Sequence, residues 1–264
     1  MPVSRRMFLE GASSLALASS VGVTKETVVK DDGVVELRQY TLRGRQRDTL
    51  VSMFEKSFLE PQNAVGAHII GTFRDLDDAD RFVWIREFRD MPARQEALSA
   101  FYGGAVWKAN RAAANATMLD SDNVLLLQPA GPGQGFAMPS TSGAPGGGII
   151  GAMIYYLGDV DAKQFTHFFE QAVLPQLTAA GVVPIARLVS EESPNNFPRL
   201  PIREHERVFT WFARWAGPAA EEAFVAHFAE LSGWRDSAPE SVLPALMRKP
   251  ERLRLAPTPR SELR

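Results

Sequence analysis

The sequence predicts an α+β fold in which two tandem β-α-β-β-α-β units close a single barrel. Three observations carry this. Apolar-polar alternation typical of strands flanks amphipathic helical stretches in that order. A Pro-, Gly- and Ser-rich stretch at residues 129–148 divides the chain. The pattern that precedes the stretch returns after it.

The chain opens with Ser4-Arg5-Arg6-Met7-Phe8-Leu9 ahead of a short run of small and apolar residues. That order resembles a twin-arginine export signal, with Glu10 where a lysine is usual. Ala16-Leu17-Ala18 offers a cleavage point near Ala18. The apolar run is too short to span a bilayer about 30 Å thick. The expected address is therefore the periplasm, with residues 1–33 as signal and linker.

Residues 34–42 alternate as a strand, with Val35 and Leu37 on one face and Glu36, Arg38 and Tyr40 on the other. Residues 48–59 carry Leu50, Val51, Phe54 and Phe58 at helical spacing, with Asp48 as the expected cap. Strands at 67–73 and 82–88 follow, joined by the acidic turn 75–80. In the later strand Phe82, Trp84, Arg86 and Phe88 share a face. Asp90 is placed to cap a helix carrying Ala97, Leu98 and Phe101, which Gly103-Gly104 ends. A helix over 106–116 and a strand over 124–127 complete the ferredoxin-like order. The expected units are therefore 34–129 and, beyond the linker at 130–148, a degenerate copy over 149–264.

The duplication rests on particular residues. A shift of 115 takes Tyr40 to Tyr155, Phe54 to Phe169, Glu55 to Glu170 and Gly66 to Gly181. A shift of 127 takes Phe82 to Phe209, Trp84 to Trp211, Phe101 to Phe228 and Trp107 to Trp234. The difference places an insertion at residues 190–206. Each unit covers one sheet face with helices, so two units in one chain can bury their open faces together as a pseudo-dimer barrel. Pairing between chains, giving a homo-oligomer, remains open on this reading.

The blocks Glu36-Leu37-Arg38-x-Tyr40, Phe82-Val83-Trp84-Ile85-Arg86-x-Phe88, Ala100-Phe101-Tyr102 and Ala114-Asn115-Ala116-Thr117-Met118 resemble the NIPSNAP family. The resemblance implies a dimeric α+β barrel fold and names no reaction. The second half departs from it: Gly151, Met153 and Ala213 stand where the first half has Glu36, Arg38 and Arg86.

A net charge of −2 leaves no electrostatic footprint for nucleic acid or anionic lipid. The absence of cysteine removes disulfides, thiolate nucleophiles and cysteine-held metals. No phosphate-binding loop or nucleophile elbow appears, and His167, His205 and His227 form no metal-ligand pattern. The candidate ligand-binding residues are Glu36, Arg38, Tyr40, Trp84 and Arg86, read as the barrel's inner face, together with His68. Buried arginines need a carboxylate or a bound ligand, so the same residues fit either a metal-free small-molecule pocket or a salt bridge that sets sheet register. The expected function is an exported protein that binds or transforms a small apolar or aromatic molecule without a cofactor. A non-catalytic interaction module is the alternative. A haem-binding barrel, resting on fold analogy, the export route and the presence of histidines, ranks behind both.

Overall fold

The computed structural model describes residues 33–137, 148–231 and 233–264. The twin-arginine motif, its cleavage point and the centre of the Gly-rich linker lie outside them. The first unit runs β1 (Val34–Leu42), α1 (Arg47–Ser57), α2 (Leu59–Ala64), β2 (His68–Asp75), β3 (Arg81–Phe88), α3 (Met91–Gly103), α4 (Ala105–Thr117), β4 (Met118–Asp120) and β5 (Val124–Pro129). The second runs β6 (Ile149–Tyr156), α5 (Ala162–Phe168), a π-helical turn (Phe169–Val173), α6 (Leu174–Ala179), β7 (Ala186–Ser190), β8 (Val208–Trp215), α7 (Pro218–Glu230), α8 (Gly233–Asp236), α9 (Leu243–Met247) and β9 (Glu251–Pro257).

Local chemistry explains some of the boundaries. The Asp90 carboxylate accepts from the backbone N–H of Ala93 at 2.7 Å, satisfying one of the orphan donors at the start of α3. Gly104 then separates α3 from α4. Asp48 does not cap α1: Gln46 occupies that position without a side-chain bond. Asp48 lies in the first turn instead, where it pairs with Arg74. The expected single helix over 48–59 breaks at Phe58 into α1 and α2.

Eight strands close a ring in the order β1-β3-β2-β9-β6-β8-β7-β5 and back to β1, with β4 added at the end of β1. Every pairing is antiparallel, and the halves join at two seams, β2–β9 and β5–β7. The duplication is visible in register. Tyr40 pairs with Phe82 and Val34 with Phe88; at the equivalent places Tyr155 pairs with Phe209 and Ile149 with Trp215.

The seams are fastened alike. After β9, Thr258 N–H donates to Thr72 O; after β5, Ala130 N–H donates to Arg187 O. Each tail then sends one apolar side chain to the barrel interior, Leu263 from one and Phe136 from the other. Residues 130–137, expected as linker, therefore belong to the barrel.

The interior is apolar and drawn from both halves: Val35, Leu37, Val83 and Ile85 meet Ile150, Ile154, Leu188, Phe212 and Leu253 there. This reverses the expected faces. Tyr40 and Trp84 pack with Leu50, Phe54 and Phe101 of the helices, not inside the barrel. Glu36, Arg38 and Arg86 lie on that same sheet face by alternation. The reason is that both faces of these strands are buried, so alternation separates the faces without saying which one the helices cover. The interior enclosed by the ring of strands takes the apolar set.

The 190–206 insertion connects β7 to β8 and crosses to the first unit. Its Phe197 is buried against Val34, Phe88, Ala97 and Leu98.

Candidate functional site

Between sheet and helices of the first unit stands a charged cluster with no solvent exposure. Glu36 and Arg38 come from β1, Arg86 from β3 and Arg94 from α3, and all four are fully buried. Glu36 and Arg86 are cross-strand partners, as are Arg38 and Trp84. Glu36 Oε2 accepts from Arg38 Nη1 at 2.7 Å and from Arg86 Nε at 2.8 Å. Its Oε1 accepts from Arg94 Nε at 2.7 Å. One carboxylate thus serves three guanidinium groups.

Neutral oxygens complete the shell. Arg38 Nε donates to the Tyr40 hydroxyl at 3.0 Å and Arg86 Nη1 to Gln62 Oε1 at 2.8 Å. Arg94 Nη1 donates to Asn195 Oδ1 at 3.2 Å and Asn196 Oδ1 at 2.6 Å. Both asparagines belong to the crossing loop, and their amides are anchored on Leu200 O and Met91 O. Aromatic faces add cation–π contact: Arg38 lies 5.4 Å from the Trp84 centroid and Arg86 4.9 Å from it.

The compensation is incomplete. The Nη2 atoms of Arg38, Arg86 and Arg94, and Trp84 Nε1, have no hydrogen-bond partner among the described residues. Arg86 Nη2 does lie 2.7 Å from Glu36 Oε2, without the alignment of a hydrogen bond. Burial alone would push the Glu36 carboxyl up; the charges of Arg86, Arg38 and Arg94 reverse this and hold it well below the usual carboxylate range. Arg94 is shifted down, first by burial and then by Arg86 and Arg38, with Glu36 opposing. Burial also pushes the Tyr40 hydroxyl up. With Glu36 ionised and three guanidiniums charged, the cluster carries two positive charges in excess.

The structure therefore brings Glu36, Arg38, Tyr40, Trp84 and Arg86 together, on the helix side of the sheet. It does not bring His68 to them. His68 Nε2 instead faces Glu262 Oε2 of the C-terminal tail at 2.9 Å, partly exposed. Arg94, Gln62, Asn195 and Asn196 complete the site and were missed. Arg94 was within reach: it precedes Ala97, Leu98 and Phe101 at helical spacing, so it lies on their buried stripe, where a charge demands a partner. The asparagines had no such signal.

The second unit does not repeat this site. Gly151, Met153 and Ala213 hold the places of Glu36, Arg38 and Arg86, and Glu221 holds that of Arg94. Trp215 folds over Gly151, leaving about 10 Å³ of free space beside Glu221. Buried Glu221 binds Arg252 and Arg254 of β9. Elsewhere in this unit, α8 and α9 replace the long α4, and a surface groove of about 570 Å³ lies between His167 and Gln171 on one wall and Ser237 and Ser241 on the other. No described helix is long and apolar enough to cross a membrane.

No curated protein matches the sequence. Among solved structures, the chain is similar to a candidate monooxygenase from Lactobacillus acidophilus at 14% identity and TM-score 0.52, covering 86% of this chain and 94% of that one. A candidate monooxygenase from Fusobacterium nucleatum aligns at 9% identity and TM-score 0.51, covering 86% and 92%. An anthrone oxidase-like protein aligns at 11% identity and TM-score 0.50, covering 87% and 93%. At such identities the likeness is one of fold, the α+β barrel formed by tandem ferredoxin-like units. In sequence, residues 35–131, which span the first unit from β1 through β5, match the family model described as NIPSNAP.

Proposed function

We propose that this chain is an exported binding protein whose ligand is a small anionic molecule with an apolar or aromatic body, received at the Glu36–Arg38–Arg86–Arg94 cluster. The observation that carries this is the charge imbalance: three fully buried guanidiniums face one carboxylate. Burying unpaired charge is costly, and a bound anion relieves the cost directly. Trp84, Phe88, Tyr102 and Phe197 supply aromatic surface around the first unit's layer, which suits an apolar body beside a charged head. The export part of the proposal rests on Ser4-Arg5-Arg6-Met7-Phe8-Leu9 alone.

Titration calorimetry of the full chain with sodium benzoate, benzyl alcohol and sodium chloride tests the binding. Saturable heat with benzoate alone is expected, and its loss in Arg94→Met, with folding checked by circular dichroism. Equal response to the neutral alcohol, or no saturable response, counts against the proposal.

A second reading is a structural clamp between β1, β3 and α3. It is favoured by direct contact of all three arginines with Glu36 and by the cross-strand placement of Glu36 opposite Arg86. A clamp predicts loss of stability on substitution and no ligand response.

A further inference from the structure

We infer that the Asn195–Asn196 pair of the 190–206 insertion occupies the place of the ligand's head group on Arg94, and that the head group is a carboxylate. The inference rests on the anion-binding reading and adds the class of anion and the residues that select it.

The geometry of one guanidinium leads to it. Arg94 spends Nε on Glu36. The far edge of the group, formed by Nη1 and Nη2, faces only neutral amide oxygens at Nη1 and no partner at Nη2. Two parallel N–H donors on one edge match two coplanar carboxylate oxygens. A phosphate brings a third oxygen and a second charge, with no further open edge on Arg94 to receive them. Amide oxygens carry partial charge, so they satisfy Nη1 while leaving the net charge of the cluster unchanged.

The pair comes from the segment that breaks the duplication. The first unit joins β2 to β3 through the short turn at 76–80, whereas the second carries residues 191–207 between β7 and β8. The extra length carries Asn195 and Asn196 over α3 of the other unit, where Asn196 Nδ2 also grips Met91 O at 2.6 Å. The asparagines are half-buried while Arg94 is wholly covered. They are thus the part of the shell that a ligand arriving from solvent can displace. Loop and carboxylate compete for one donor edge, and the loop sets the affinity.

Three variants measured with benzoate, benzenesulfonate and phenylphosphonate test this. Asn196→Ala removes the competitor and is expected to tighten benzoate binding about tenfold, the worth of one charge-assisted bond. Asn196→Asp places a permanent carboxylate beside Arg94 and is expected to weaken benzoate binding about tenfold or more. Because both changes at Asn196 also remove the donation to Met91 O, binding is the readout and circular dichroism only confirms folding. Asn195→Ala should act in the direction of Asn196→Ala and more weakly, given its longer contact. Wild type should prefer benzoate to both tetrahedral anions. If benzoate binds wild type, Asn196→Ala and Asn196→Asp equally, the anion site stands and the inference about the loop falls. If the tetrahedral anions bind better, the assignment to a carboxylate falls. If none of the anions binds any variant, both the site and the loop's role in it are overturned.

Discussion

The two halves share a backbone plan and disagree about charge. Glu36 and Gly151 stand at the same point of equivalent strands, β1 and β6, in the same register, opposite Arg86 in one half and Ala213 in the other. The first half fills the layer between sheet and helices with three arginines on a carboxylate. The second fills it with Trp215 and moves its buried acid to the helix, where Glu221 meets Arg252 and Arg254, which reach the surface. The second half therefore builds its share of the barrel without an arginine cluster. What the fold does not require, and what raises its cost, is the better candidate for function.

The largest effect that can break this comparison is expected at Glu36. Glu36→Gln keeps the shape and deletes the charge, leaving three guanidiniums without a counter-ion in a buried layer. Loss of one partner from a buried pair typically costs about 3–5 kcal/mol, and that is the expected drop in unfolding free energy by denaturant titration. A loss below about 1 kcal/mol would mean that the cluster is not held by its carboxylate. The pH dependence follows with a definite sign. Folding depresses the Glu36 pKa, so its stabilising contribution is complete above the ordinary carboxylate value and is lost progressively as pH falls from that value down through the depressed one of the folded state. Wild type should weaken from about pH 5 downward, and Glu36→Gln should show a shallower acid limb.

Much of this was legible in the sequence, and the failures have two causes: strand periodicity that is symmetric between buried faces, and contacts made between distant parts of the chain. Repeated pairs such as Trp84 and Trp211, or Phe101 and Phe228, located the elements and the insertion because aromatic side chains are costly to move once packed. Alternation grouped Glu36, Arg38, Tyr40, Trp84 and Arg86 correctly. Assigning that group to the barrel interior failed, because strand periodicity is symmetric between two buried faces. Arg94 on α3 breaks the symmetry: a charge on a helix's buried stripe can only meet the sheet face beneath that helix. Asn195 and Asn196 are joined to the site by chain crossing between units, and no local pattern encodes that. His68 looked like a site residue because its strand is apolar; its partner, Glu262, arrives from the far end of the chain.

Of intermediate size is the effect expected at Gly151, the second half's counterpart of Glu36. A Cβ there would come within 2.4 Å of the Trp215 ring. Gly151→Ala forces that ring aside in a packed layer and should cost about 1–3 kcal/mol by denaturant titration. It should leave benzoate binding at the first unit unchanged, since the two layers lie on different units. A neutral outcome would show that Trp215 can yield, and that the second half retains room for a side chain where the first keeps its carboxylate.

The smallest effect sharpens the comparison instead of breaking it. Gly66 follows α2 and Gly181 follows α6 at equivalent places in the two units, with φ of 89° and 81°. A Cβ at either position would meet nothing within 4 Å, so replacement by alanine exposes the backbone cost alone. That cost is about 1–2 kcal/mol for a left-handed residue. Gly66→Ala and Gly181→Ala should therefore lose nearly equal stability, and neither should alter benzoate affinity. Equal losses would show that the turns of both halves remain interchangeable, which confines the divergence to the layer around Glu36. A clear inequality, with Gly66→Ala the worse, would mean that strain at this turn reaches Gln62 on α2 and through it Arg86. The charged cluster would then be coupled to the frame that the halves share, and its separation from the fold would have to be given up.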